Sequence, residues 1–486
     1  VKKLNLLKGN EMNTFVNAVV NQEARTTNGM RARKSTANAC VDLFFKIGAS
    51  RGKDITKEFV AAYAENKEVA LRIAQWARDV RGGSGERELF RQILKYLDKH
   101  DPDAATALLK KVPEIGRWDD IFVVENTKPF AFTMLGDALR EKNGLAAKWT
   151  PRKGELAVEI RNFFGMSPKF YRKSLVEMTK VVEQDMCAKN WDSINFSHVP
   201  SVASARYKKA FYRNATEAYS AYVAELVKDP KDRTVQVKVN AGAVYPYDVL
   251  KGINSYGNRY NGTETNLIVA QWDALENFVG DANVLPLVDV SGSMACKAGG
   301  AKSTSATTCM DVAVSLGLYL AEKNTGKFKD TFLTFSGTPE LLHLKGNVVQ
   351  KMNQMVTSTW GMNTDLVKAM DKILKTAKDG NVPQEEMPEM LLILSDMQFD
   401  QCARFDDSAM QMIARKFEAA GYTLPKIVFW NLNAADNVPV KYDTRGVALV
   451  SGFSPAIMKA VLSGDTDQFT PEAMMLKTVM VDRYAV

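Results

Sequence analysis

Histidine and cysteine are scarce in this chain: three histidines (His100, His198, His343) and five cysteines (Cys40, Cys187, Cys296, Cys309, Cys402) among 486 residues. The histidines are isolated, the cysteines are odd in number, and no two have CxxC spacing. A zinc centre and a disulfide framework are therefore not expected, and a reducing cytoplasm is the expected compartment. No run of about 18 apolar residues occurs, so no membrane-spanning helix is expected. The opening Val1-Lys2-Lys3-Leu4 lacks the apolar core of a secretory signal. The glycine cluster Gly82-Gly83-Ser84-Gly85 has no Gly-Lys-Ser/Thr after it, which disfavours ATP binding. No strict period of about 34 or 40 residues emerges, so tetratricopeptide and ankyrin arrays are not supported.

What is abundant is apolar content and helical patterning. At 46% hydrophobic residues the chain can bury sizeable cores, and its length suits two or three domains. Segments Phe59–Arg78, Leu89–Asp98, Ala104–Lys111, Thr133–Lys142, Glu155–Phe164, Tyr171–Asp185 and Arg206–Lys228 place apolar residues at three- and four-residue spacing. Between them lie glycine and proline punctuation, so residues 1–280 read as a degenerate stack of antiparallel helix pairs. Charge divides unevenly: 44 basic against 33 acidic residues up to position 280, then 20 against 23, giving +11 and −3 from the overall +8. The positive half is biased toward a polyanionic partner.

Beyond residue 280 the pattern changes. Apolar runs at Val284–Val288, Thr331–Phe335, Leu391–Leu394, Lys426–Leu432 and Val447–Val450 have the length of buried strands. Helical patterns alternate with them at Met310–Glu322, Leu366–Lys378, Asp406–Ala420 and Pro455–Leu462, which argues a doubly wound α/β sheet over 281–486. The first run ends in Asp289-Val290-Ser291-Gly292-Ser293, and the third ends in Ser395-Asp396, with Gly361-Met362-Asn363-Thr364-Asp365-Leu366 between. An aspartate and two hydroxyls at alternate positions can direct three oxygens at one cation, a donor set suited to Mg²⁺ or Mn²⁺. A lone loop of this kind is also what any polar turn uses. Loops after different parallel strands converge at the carboxyl edge, so Asp289, Ser291, Ser293, Thr364 and Asp396 are expected to meet there. Thr357 and Thr359 compete with Thr364, and Asp365 is as readily a helix cap as a ligand.

This five-part pattern resembles the metal-ion-dependent adhesion site of von Willebrand factor A domains. The resemblance implies a Mg²⁺ held by Asp289, Ser291 and Ser293, joined directly or through water by Thr364 and Asp396, with one position open to a partner's carboxylate. The small-residue stretch 295–308 reads as an insertion on that face.

Cations cluster at several helix ends: Arg78, Arg81 and Arg87 around the glycine turn, Arg117 beside Trp118, Lys148, Arg152 and Lys153 around Trp149, then Arg172, Lys173, Arg206, Lys208 and Lys209. Aromatic and guanidinium groups together suit stacking on unpaired bases, although a tryptophan on a helical stack is more often core. The phrases RGGSGER, GRWDD, Tyr171-Arg172-Lys173, Asn190-Trp191-Asp192-Ser193-Ile194, Val199 to Ser204 and Tyr207-Lys208-Lys209-Ala210-Phe211 are similar to an uncharacterised branch of TROVE-like proteins found in plants, fungi and viruses. That family pairs a helical domain with a von Willebrand A-like domain. Its Ro-type relatives bind RNA through a ring of helical repeats. The resemblance implies a HEAT-like α-helical repeat domain, ring or arc, followed by a Rossmann-type α/β domain, in an RNA-binding ribonucleoprotein component. The alternative is a metal-dependent protein assembly or scaffold factor without RNA. An enzyme is disfavoured, because no base or nucleophile accompanies the oxygen cluster.

Overall fold

A computed structural model describes residues 24–179, 181–229, 231–242, 244–251, 253, 262–298, 307–335, 338–357, 365–399, 409–433, 437–463 and 469–486. A short antiparallel ribbon, β1 (Ala24–Arg25) with β2 (Arg31–Ala32), precedes the helices. These begin with α1 (Ala39–Ile47), α2 (Thr56–Glu65), α3 (Lys67–Arg78), α4 (Arg87–His100) and α5 (Pro102–Ile115). Then come α6 (Lys128–Arg140), α7 (Gly144–Trp149), α8 (Glu155–Phe163), α9 (Pro168–Met178) and α10 (Val182–Ala188). The series ends in α11 (Ser201–Asn214), α12 (Thr216–Leu226), α13 (Pro246–Leu250) and α14 (Gly262–Asp273).

Three long helices expected from periodicity are each divided. Asn66 takes extended backbone between α2 and α3 and its side chain accepts from the Val69 N–H, so a cap interrupts Phe59–Arg78. Ala215 (φ −133°, ψ 45°) separates α11 from α12, and Thr179, in extended backbone, ends α9 before α10. Apolar spacing runs through such breaks because both pieces pack on the same core, so periodicity does not show them.

The second part is a six-stranded sheet in the order β5-β4-β3-β6-β7-β8. Its strands are β3 (Val284–Asp289), β4 (Thr331–Phe335), β5 (Leu341–His343), β6 (Met390–Ser395), β7 (Lys426–Asn431) and β8 (Val447–Ser451). All neighbours are parallel except β4 with β5, the antiparallel edge. Strands β3 and β6 are buried along their whole length, as expected of a parallel sheet covered on both faces. Helices α15 (Cys309–Lys323), α16 (Val348–Thr357), α17 (Leu366–Asp379), α18 (Ala409–Ala419), α19 (Met458–Leu462) and α20 (Pro471–Val479) complete this part. Helix α15 lies on β3 so closely that a methyl group at Gly317 would stand 2.4 Å from Val288 Cγ2.

Helical part and sheet share one hydrophobic cluster, which runs from Phe44 and Trp76 through Val288 and Leu394 to Met475. Helix α1 ends on the carboxyl tips of β7 and β8, where its terminal carbonyls need donors. Ser451 Oγ donates to Phe44 O (2.8 Å), Asn431 Nδ2 donates to Phe45 O (3.1 Å), and Gly48 N donates to Ser451 Oγ (3.1 Å). A side chain at Gly48 would meet Ser451 O at 2.6 Å. Segment 245–250 returns to the start of the helical part: Arg51 Nη1 donates to Tyr247 Oη (3.4 Å), and the Tyr247 ring meets Phe453 edge-on. A second, smaller cluster centres on Phe196, Phe211, Tyr219 and Tyr222. No helix among the described residues is long and apolar enough to cross a membrane.

Candidate functional site

The strand order reverses direction of growth between β3 and β6, the place where an open α/β sheet leaves a crevice at its carboxyl edge. Both aspartates arrive there. Asp289 is the last residue of β3, and Asp396 directly follows β6. Their register is locked by Ser395, whose Oγ donates to Asp289 Oδ2 at 2.6 Å. Asp289 Oδ1 accepts from Ser291 N (3.0 Å), which bends the loop so that Ser291 Oγ and Ser293 Oγ lie 3.0 Å apart. Asp396 Oδ1 accepts from Gln398 N (3.2 Å), and Met397 takes left-handed backbone (φ 65°) to allow that turn. Asp289, Ser291 and Asp396 are buried, while Ser293 faces solvent and forms the mouth.

Two buried carboxylates side by side resist ionisation. Burial first, then the charge of Asp396, pushes Asp289 up to about 7, and burial likewise raises Asp396. Among the described residues neither has a Lys or Arg ion pair, and no group of three or more His, Cys, Asp and Glu side chains is placed to hold a metal. The oxygens that converge are two carboxylates and two hydroxyls, a set that fits a hard divalent cation. Thr364, with Thr359, lies outside the described residues. Asp365 caps α17, accepting from Lys368 N at 3.0 Å, so its cap role holds.

Two features of this edge had no signal in the sequence. The ribbon at residues 24–32 clasps the loop after Asp396: Thr26 Oγ1 donates to Phe399 O (2.5 Å), Thr27 N to Gln398 Oε1 (2.7 Å) and Asn28 Nδ2 to Gln398 O (2.8 Å). Cys296 and Cys309, thirteen positions apart, bring their sulfurs to 3.4 Å. Cys296 lies at the start of the 295–308 insertion and Cys309 directly after its end.

The twelve cations proposed from sequence fall into separate places. Arg87, Arg117, Lys148 and Arg206 line one open cleft of about 840 Å³ together with Trp149, His198 and Tyr207. Arg87 is exposed and has no acidic partner among the described residues. Partial desolvation and the neighbouring Arg117 and Arg78 hold it below the usual guanidinium range. The Arg117 guanidinium lies 3.7 Å over the Trp149 ring and pairs with Asp119, and Lys148 is 3.4 Å from Glu183. Lys208 and Lys209 line a smaller pocket with Tyr212 and Arg213. Arg81, Lys153, Arg172 and Lys173 are exposed elsewhere, and Arg152 donates to Thr179 Oγ1 (2.9 Å).

Arg78 corrects the expectation. It is 5% exposed and its Nε is 2.7 Å from Asp120 Oδ2, which is wholly buried and also pairs with Arg91 at 2.8 Å. Such a pair is part of the core, not of a surface. Trp118 is buried as well, so of the two candidate stacking tryptophans only Trp149 borders the cleft.

Comparison with known proteins gives matches along most of the chain. Residues 283–482 match a family described as a domain of unknown function (DUF7788). Residues 26–120 and 157–283 match another domain of unknown function (DUF2828). An uncharacterized protein of Acanthamoeba polyphaga mimivirus is 29% identical over 517 aligned positions, spanning 93% of this chain and 86% of the viral protein. Among solved structures, the RO (RSR) protein of Deinococcus radiodurans is similar with a TM-score of 0.46 and 15% identity, covering 91% of this chain and 99% of that one.

Proposed function

We propose that this protein is an RNA-binding ribonucleoprotein component of Ro/TROVE type, in which the helical part holds RNA and the α/β part binds a ligand through a divalent cation. The observation that carries the first half is the cleft. Arg87 and Arg206 stand there without acidic partners among the described residues, beside the half-buried Trp149. Unpaired guanidinium groups next to an aromatic face suit the phosphates and bases of a single strand. The return of residues 245–250 to Arg51 and Phe453 supports a ring or arc closed by the α/β part.

For the second half, Asp289, Ser291, Ser293 and Asp396, with Thr364, would hold Mg²⁺ or Mn²⁺. Such a cation would neutralise the carboxylate pair and present a site to a partner's carboxylate at the solvent-facing Ser293. The role is binding rather than catalysis. His343 bonds Thr331 Oγ1 (3.1 Å) at the start of β4, the end of the sheet away from Asp289, and cannot serve there as a base. A metal-dependent scaffold without RNA is the second reading, favoured by the same buried carboxylate pair.

Fluorescence anisotropy of the full chain with a single-stranded RNA oligonucleotide separates the two. RNA binding should weaken steeply with salt, because each phosphate contact releases counterions. The double change Arg87→Glu and Arg206→Glu should cost on the order of 1 kcal/mol per contact and flatten the salt slope. Unchanged affinity in that variant would remove the cleft from the RNA path. Binding of a protein partner that is abolished by EDTA or Asp289→Ala, with no RNA affinity, would establish the scaffold reading. Sequencing of nucleic acid that co-purifies at native salt would identify the RNA.

A further inference from the structure

Residues 296–298 and 307–309 run antiparallel. Lys297 and Thr308 form a bridge, Ala298 N donates to Thr307 O (2.9 Å) and Cys309 N donates to Cys296 O (2.9 Å). In that register Cys296 and Cys309 stand directly opposite one another as a hydrogen-bonded cross-strand pair. Such pairs hold their Cα atoms about 5.5 Å apart, within the roughly 4.4–6.8 Å that disulfides span. The sulfurs are already 3.4 Å apart and share a hydrogen bond. Bond formation would shorten that separation to about 2.05 Å.

The surroundings distinguish the two thiols. Cys309 is fully buried, with Leu432 O 3.4 Å from its sulfur, an acceptor that keeps it protonated. Cys296 is half-buried, and the Asn433 Nδ2 amide stands 3.5 Å from its sulfur as a donor. The hydrogen bond with Cys309 lowers the Cys296 thiol below its ordinary range against the opposing effects of burial and Asp396, while the same contact, then burial, raises Cys309. A half-buried thiol beside a fully buried one is the arrangement of an attacking and a resolving cysteine.

We infer that Cys296 and Cys309 are a peroxide-sensitive dithiol that closes to a disulfide at the neck of the 295–308 insertion. The Cys296 thiolate attacks one oxygen of hydrogen peroxide, giving a sulfenic acid and, after protonation, water. The Cys309 sulfur then displaces the hydroxyl as a second water. Two thiols lose two electrons and two protons, and one peroxide becomes two waters. The disulfide would tie both ends of the insertion beside the turn Gly292–Ala295.

The test is peptide mass spectrometry on the intact protein, treated with hydrogen peroxide, alkylated with N-ethylmaleimide and digested without reduction. Cys40, whose burial pushes its thiol up to about 12, is the internal control for an unreactive site, and exposed Cys187 for an open one. The expected result is a linked Cys296–Cys309 peptide, lighter by two hydrogens, with loss of alkylation at both positions and recovery by dithiothreitol. In Cys309→Ser, Cys296 should accumulate as a sulfenic acid trapped by dimedone. Full alkylation of both cysteines after peroxide treatment, linkage of either to Cys187 or Cys402 instead, or no dimedone adduct at Cys296 in Cys309→Ser would overturn the inference.

Discussion

Single charges in this protein are decided by what surrounds them. Arg78 and Arg81 are three positions apart, yet Arg78 is sealed against Asp120 and Arg81 is exposed. Arg78→Ala should therefore destabilise by about 3 kcal/mol, because Asp120 is left buried with only part of its compensation from Arg91. Arg81→Ala should stay within about 0.5 kcal/mol. Urea unfolding of the two variants checks the contrast, and equal midpoints would mean that Arg78 is not structural. Asp289 makes the opposite case. An aspartate in the unfolded chain titrates near about 3.9, whereas burial and Asp396 push Asp289 up to about 7. The folded state thus holds a proton that the unfolded chain has already lost, and the stability of the cation-free protein should fall as pH rises from about 4 to about 7. Millimolar Mg²⁺ or Mn²⁺ should restore stability most at about pH 8 and least at about pH 5, where protons compete for the carboxylates. A melting temperature indifferent to either cation at the higher pH would remove the cation from the site.

At the scale of elements, close packing sets the tolerance. Helix α15 approaches β3 at Gly317, where a methyl group would clash with Val288 Cγ2 at 2.4 Å, and β3 carries Asp289 at its end. Gly317→Ala should cost about 1–3 kcal/mol through overpacking, despite the better helix propensity of alanine. It should also weaken any Mg²⁺-induced rise in melting temperature, since β3 positions Asp289, the first of the proposed ligands. A stabilised Gly317→Ala would show that the helix can shift away from the strand. Asn66, Ala215 and Thr179 show why helix boundaries were harder to read than helices. The breaks lie in backbone conformation and a single cap, while the apolar spacing continues on both sides.

At the scale of the molecule, both ends of the described chain cross from one part to the other. The ribbon at 24–32 clasps Gln398 and Phe399, and the C-terminal turn docks on α3, where Tyr484 Oη donates to Asp79 Oδ2 (3.0 Å) and Gln75 Nε2 to Tyr484 O (3.0 Å). Arg483 pairs with the same Asp79. Burial alone would raise Asp79, but Arg483, the Arg81 N–H and Tyr484 together hold it below the usual carboxylate range. Asp79→Ala should cost on the order of 2 kcal/mol. The loss should appear as a lower midpoint of one thermal transition, because helices and sheet share a continuous core. Two separated transitions would instead indicate independently folding halves.

From sequence alone, the buried strands, the helix-rich first part and the aspartate-serine turn were legible, because each is local: a run of apolar residues, a spacing, a strand end. The parallel register that seats Ser395 opposite Asp289 brings the turn and Asp396 to one sheet edge, a meeting that alternation of strands with helices already implied. Tertiary structure alone decided which arginines are free. Arg78, Arg87 and Arg206 carry the same charge near helix ends or on helices, and only Asp120, forty-two positions from Arg78, distinguishes a core ion pair from a cleft cation. The same holds for Cys296 and Cys309, whose meeting depends on antiparallel pairing across an insertion, and for the 24–32 ribbon and the C-terminal turn, whose partners lie hundreds of residues away. Contacts that are distant in the chain leave no periodicity to read, so side-chain environment was settled by folding rather than by pattern.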